Sequence, residues 1–148
     1  MSRSEPLRFR RSEFPVRVRA SLPSTRPALS RAVRAVMAVA RKVEALGQNR
    51  ADLEIAVREA LANAILHGNG LHKAKRVFVR CYGGPHSGLL VLVRDQGAGF
   101  DPSYVPDPRH PDRRHLHHGR GLLLMRELMD RVEYRRGGRE VLLYKNGG

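Results

Sequence analysis

The sequence predicts an α+β fold, a two-layer sandwich with helices on one face of a mostly antiparallel sheet. Three observations lead there. Hydrophobic periodicity gives the element order β-α-α-β-β-loop-α-β-β. Two pairs of short strand-like segments flank glycine-rich turns, the mark of hairpins. With 148 residues, 41% of them hydrophobic, the chain has the material for one core.

Taken in order, Pro15–Ala20 alternates apolar and charged residues as a half-buried strand does, and Leu22-Pro23-Ser24 turns the chain. From Thr25 to Leu46, apolar residues recur at helical spacing, and Gly47 supplies a stop. A second helix starts near Asn49, whose side chain can cap it. It carries Leu53, Val57, Leu61 and Ile65 to the His67-Gly68-Asn69-Gly70 break. Strands Arg76–Tyr82 and Leu89–Arg94 follow, joined by a turn rich in Gly around Pro85. The stretch between Gly97 and Gly121 holds Pro102, Pro106, Pro108 and Pro111 and is too long for a casual connector, so it reads as a functional loop. A third helix, Leu122–Arg131, precedes two closing strands, Val132–Arg136 and Glu140–Lys145, around Gly137-Gly138. Residues 1–12 are expected to form a flexible basic tail, and 13–148 a single domain.

Composition narrows the function classes. The formal net charge is +14, and 24 of the 28 basic residues are arginine, spread along the chain. There is no Trp, with four Tyr and four Phe, so platforms for stacking bases are scarce and no specific nucleic-acid partner is expected. The longest purely apolar stretches, such as Leu89–Val93, fall far short of a membrane span of roughly 20 residues, and the charged N-terminus lacks the apolar core of a signal peptide. Cys81 is alone, which excludes an internal disulfide and points to the cytoplasm. His110, His115, His117 and His118 share no recognisable zinc-ligand spacing.

Chemistry-bearing residues fall in three places. On the second helix Glu59, Asn63 and His67 recur at i, i+4 spacing, which also describes an ordinary solvent-facing stripe. Glu59 is suited to act as a general base, and the Asn63 carboxamide oxygen is a hard ligand for Mg²⁺. At the end of the Leu89–Arg94 strand, Asp95 is followed by Gly97 and Gly99. A carboxylate with glycines that admit close backbone approach suits a flat ligand bearing an amine, such as adenine. Ahead of the third helix stand Gly119, Arg120 and Gly121, where free N–H groups and the helix dipole would attract phosphate. The chain has no Walker A loop and no Rossmann fingerprint.

In this order and spacing, Glu59-Ala-Leu-Ala-Asn63, Asp95-x-Gly97-x-Gly99 and Gly119-x-Gly121-Leu122 resemble the N, G1 and G2 boxes of the GHKL ATPase superfamily. Within it, Val57–Asn69, Asp95–Pro102 and Gly121–Tyr134 look most like the anti-sigma-factor serine/threonine protein kinases, over about residues 16 to 146. The resemblance implies a Bergerat-type ATP-binding fold with a flexible lid, here about Phe100–His118. It implies Glu59 as base for the attacking hydroxyl, Asn63 as Mg²⁺ ligand and Asp95 as partner of the adenine amine. Gly97 and Gly99 would wall the base, and Gly119 and Gly121 would hinge the phosphate side. It further implies ATP and Mg²⁺ as cofactors, a sigma factor as the sequestered partner, and an anti-anti-sigma protein as phosphoacceptor. Homodimerisation is left open. In one departure, Arg139-Glu140 stand where many members carry a Ser/Thr pair. Two other readings are an ATP-binding module that regulates stoichiometrically without phosphoryl transfer, and a polyanion-binding protein.

Overall fold

The computed structural model describes residues 10–100 and 116–146. Strands β1 (Val16–Pro23), β2 (Arg76–Gly84), β3 (Gly88–Arg94), β4 (Arg131–Arg135) and β5 (Glu140–Lys145) form one sheet in the order β1-β2-β3-β5-β4. Every adjacent pair is antiparallel. Helices α1 (Arg26–Arg41), α2 (Arg50–Ala62) and α3 (Leu116–Leu128) complete the α+β sandwich. The connection from β3 through α3 to β4 is a crossover, because β5 lies between the two strands it links.

The strand alternation fixes which face the helices cover. Val77, Val79 and Cys81 of β2, Val91 and Val93 of β3, and Val141 and Leu143 of β5 are buried against Val33, Val36, Leu53, Val57 and Leu61 of the helices. Each such aliphatic side chain contributes roughly 1.5–3 kcal/mol relative to exposure. Cys81 belongs to this core, where burial pushes its thiol up to about 12, so it is a packing residue with no accessible thiolate. On the opposite face a smaller cluster joins Phe14, Leu90 and Leu142. No helix among the described residues is long and apolar enough to cross a membrane.

The two expected hairpins, β2–β3 and β4–β5, form, and β5 has the expected bounds. The second turns through Gly137 and Gly138, whose φ of +65° and +87° would strain any other residue. Several boundaries differ from expectation. β1 continues through Leu22 and Pro23 instead of turning there, which an edge strand allows because the missing proline N–H leaves no ladder bond broken. α1 is capped by the Thr25 hydroxyl, which accepts from the Ala28 N–H at 3.3 Å, but it stops at Arg41. Val43 and Leu46 stay buried through a short 3-10 segment, Glu44–Asn49, so continuing apolar spacing concealed the break. Asn49 makes no side-chain cap for α2. α3 begins at Leu116 and ends at Leu128, so Gly119, Arg120 and Gly121 lie inside the helix rather than ahead of it. Glycine in a helix costs about 1 kcal/mol relative to Ala, and the reason for tolerating Gly121 lies in the site. Of the expected tail, residues 1–9 lie outside the described ones, while Arg11–Glu13 form a 3-10 turn that leads into buried Phe14. The expected lid lies outside the described residues over 101–115.

Candidate active site

α2 widens at its C-terminal end. After Ala62 the chain makes a π-helical turn, Asn63–Gly68, closed by the Asn69 N–H donating to the Ala64 carbonyl at 2.8 Å. Such insertions are frequent at functional sites because they re-aim side chains without ending the helix. Between this turn and the ends of β3 and β5 lies a cavity of about 120 Å³. Asn63, His67 and Gly68 line it from the helix, Asp95, Ala98, Gly99 and Phe100 from the segment after β3, and Tyr134, Gly138 and Arg139 from the β4–β5 hairpin.

Asp95 is the carboxylate of this cavity. Its Oδ1 accepts from the Gly97 N–H at 2.8 Å, and its own N–H donates to the Arg139 carbonyl at 2.9 Å. Burial raises its pKa above the usual aspartate value, while the Gly97 N–H and the charges of Arg139 and Lys75 oppose the rise. Two glycines make room for it. A Cβ on Gly68 would lie 2.5 Å from Asp95 Oδ2, and a Cβ on Gly97 would collide with the Gly68 carbonyl oxygen. Gly99, with φ +78°, passes against the Gly137 carbonyl, where a Cβ would also collide. Phe100 then donates its N–H to Gly137 at 2.9 Å and packs edge-to-face on Tyr134, with ring centroids 4.9 Å apart. Burial pushes the Tyr134 phenol up to about 12, so it stays neutral.

The other expected residues meet beneath α3. A Cβ on Gly121 would lie 3.0 Å from Glu59 Oε2 and 3.1 Å from Asn63 Nδ2. Gly121 thus lets α3 approach α2 closely enough to cover these two side chains, which offsets its poor helix propensity. Asn63 lines the cavity; Glu59 does not, and stands beside it under α3. Asn63 and Glu59 present hard oxygens near a common point, a donor chemistry that fits Mg²⁺ when phosphate oxygens complete the set. Among the described residues, no three His, Cys, Asp or Glu converge as a metal cluster. Of the expected phosphate-side residues, Gly119 and Arg120 are placed only as part of α3.

Sequence reasoning missed two supporting residues. Asn69, only 3% exposed, donates from Nδ2 to Ser24 Oγ at 2.8 Å and to the Arg76 carbonyl at 3.0 Å, and its Oδ1 accepts from the Gln96 N–H at 2.8 Å. It ties the π turn, the starts of α1 and β2, and the residue after Asp95 into one buried network. Arg139, read from sequence only as a departure, donates to three main-chain carbonyls around the same loop. Most of their partners, Ser24 and Gln96 for Asn69 and Gly97 and Ala98 for Arg139, are far away in sequence, so no local pattern marks them.

Residues 22–145 match a family model described as the histidine kinase-like ATPase domain. The serine-protein kinase RsbW of Bacillus licheniformis is 39% identical to the chain over 87 residues, covering 55% of this chain and 54% of that protein. The match therefore spans about half the length of that curated relative.

Proposed function

The chain belongs to the histidine kinase-like ATPase domain family, an ATP-binding family, and on that premise we propose that it is a Mg-ATP-dependent serine/threonine protein kinase acting as an anti-sigma factor. It sequesters a sigma factor and transfers the γ-phosphoryl of ATP to a hydroxyl of an anti-anti-sigma protein. The observation that carries this reading is that three separate sequence motifs come near one another: Asp95 and Asn63 line one cavity, and Gly121 of α3 packs close to Asn63 and Glu59.

In this reading Asp95 accepts from the exocyclic amine of adenine, and Gly97 and Gly99 let the backbone approach the ring. Asn63 would hold Mg²⁺, which would supply neutralisation of phosphate charge. Glu59, next to Asn63, takes the proton of the attacking hydroxyl. Gly119 and Arg120, which lie inside α3, are assigned to the phosphate side by the resemblance. The resemblance to a serine-protein kinase supports the acceptor chemistry, and the intact Glu59 supports transfer over mere binding.

The experiment separates binding from transfer. Mg-ATP raises the melting temperature of the protein by mass action, and Asp95→Ala abolishes the shift. Glu59→Ala retains the shift and loses transfer of labelled phosphate to an anti-anti-sigma protein. A shift with no transfer by the unaltered protein would leave the stoichiometric module as the better reading. The absence of any shift would overturn the nucleotide site.

A further inference from the structure

We propose that Arg139 is a positioning residue that preforms the base pocket by clamping the Asp95–Gly99 segment to the β4–β5 turn; this rests on the nucleotide-site reading above. The geometry is that of a fork on the main chain. Arg139 Nε donates to the Gly97 carbonyl at 2.8 Å, Nη2 to the Ala98 carbonyl at 2.9 Å, and Nη1 to the Arg136 carbonyl at 3.1 Å. The same residue's carbonyl accepts from the Asp95 N–H. One residue therefore holds the start and the middle of the loop, through its main chain at Asp95 and its guanidinium at Gly97 and Ala98, while the Phe100 N–H on the Gly137 carbonyl holds the far end.

Those two successive carbonyls have no ladder donor, because they belong to a glycine-containing segment outside the sheet, with Gly99 in the left-handed region. The bonds are solvent-exposed, so water is the alternative partner, and what the guanidinium adds is a fixed geometry for the loop. A planar guanidinium can serve adjacent carbonyls at once, which an ammonium or an amide serves only in part. Arg139 also lines the cavity, but each of its three nitrogens donates to the main chain, so in this reading it acts on the base through the loop. Ala98, Gly99 and Phe100 all line the cavity, so the loop it braces is the cavity wall. Without the brace, the ordering of that wall is charged to ligand binding, and affinity falls.

The test compares the unaltered protein with Arg139→Ala, Arg139→Lys and Arg139→Gln, using adenosine, ADP and ATP as probes, each with Mg²⁺. Arg139→Ala is expected to weaken all three by a similar factor, roughly ten-fold, with the Lys and Gln variants in between. Amide exchange at Gly97 and Phe100 in the nucleotide-free protein is expected to quicken in Arg139→Ala while the strand amides keep their protection. A loss much larger for ATP than for adenosine would overturn the proposal, since it would place the guanidinium on phosphate. Full recovery by Arg139→Lys would overturn it too, because charge alone would then suffice. Should the unaltered protein bind none of the probes, the nucleotide-site reading fails and the base-affinity claim with it. If it binds all three and Arg139→Ala binds them equally well, only the clamp fails. Should Arg139→Ala not fold, Arg139→Gln, which keeps part of the fork, decides the question by the same ratios.

Discussion

At the scale of single residues, the site holds a carboxylate at a cost to the fold. Asp95 has a raised pKa in the folded protein because burial penalises its charge more than the Gly97 N–H, Arg139 and Lys75 relieve it. Between the unfolded and folded pKa values the folded state binds more proton, so stability falls as pH rises through that window and stays lowered above it. Asp95→Asn keeps an acceptor oxygen for the Gly97 N–H and removes the charge. The nucleotide-free variant is therefore expected to melt higher than the unaltered protein at pH 7 and to lose that part of the pH dependence. Its affinity for adenine nucleotides should fall about ten- to hundred-fold, the cost of leaving one buried polar group mispaired. Thermal melts from pH 4 to 8 and a nucleotide titration check both halves. A variant that is less stable at every pH would show that ionised Asp95 supports the fold. Asp95 was legible in the sequence because a carboxylate followed by spaced glycines is a local pattern. Asn69 was not, since its partners Ser24, Arg76 and Gln96 are contacts made only by the fold.

At the scale of elements, the packing of α3 on α2 couples helix geometry to Glu59 and Asn63, the side chains proposed to carry the chemistry. Gly121→Ala improves helix propensity by about 1 kcal/mol, yet places a Cβ 3.0 Å from Glu59 Oε2 and 3.1 Å from Asn63 Nδ2. Both neighbours are side-chain ends and can give way by a few tenths of an ångström. The variant should stay folded, with stability within about 1 kcal/mol of the unaltered protein, while phosphoryl transfer drops roughly ten- to hundred-fold, as expected for displaced reacting groups. Gly97→Ala is the contrast, because its Cβ meets the Gly68 carbonyl, which is main chain and cannot swing aside. That variant should lose both stability and nucleotide binding. Melting and transfer assays on the pair distinguish the two cases, and equal loss of stability in both would refute the distinction. The 3-10 segment Glu44–Asn49 and the π turn Asn63–Gly68 were not readable in the sequence, whereas the type of each main strand and helix was, as the alternating burial of β1 and β2 illustrates. Boundaries were less so: Gly119 and Gly121 look like a helix start to a reader who cannot see that α2 requires a bare backbone on α3.

At the scale of the whole molecule, the fold gathers charge that the sequence spreads out. Register places Arg19 of β1 directly opposite Arg80 of β2, and Arg94 of β3 opposite Phe78, on the sheet face away from the helices. Arg94 stacks over the Phe78 ring at 4.6 Å, and the three arginines border a shallow depression of about 220 Å³. Like charges facing each other across a strand pair are destabilising, and among the described residues Arg19 and Arg80 have no acidic partner. With a net charge of +14 behind them, they give the face a positive potential that attracts any acidic macromolecule and speeds encounter with an acidic protein surface. The expected behaviour toward duplex DNA is weak, sequence-independent binding that collapses as salt rises, by counterion release. Replacing Arg19 and Arg80 by Ser should slightly stabilise the protein and flatten the slope of log affinity against log salt by roughly 0.9 for each phosphate contact removed. Nucleotide affinity should not change, because the cavity lies on the helix side of the sheet. Titrations of one duplex and its scrambled counterpart over a range of salt, with both proteins, measure the slope. Sequence-selective binding that persists at physiological salt and vanishes in the double variant would instead make this face a nucleic-acid reader, and the polyanion reading of the protein would displace the kinase.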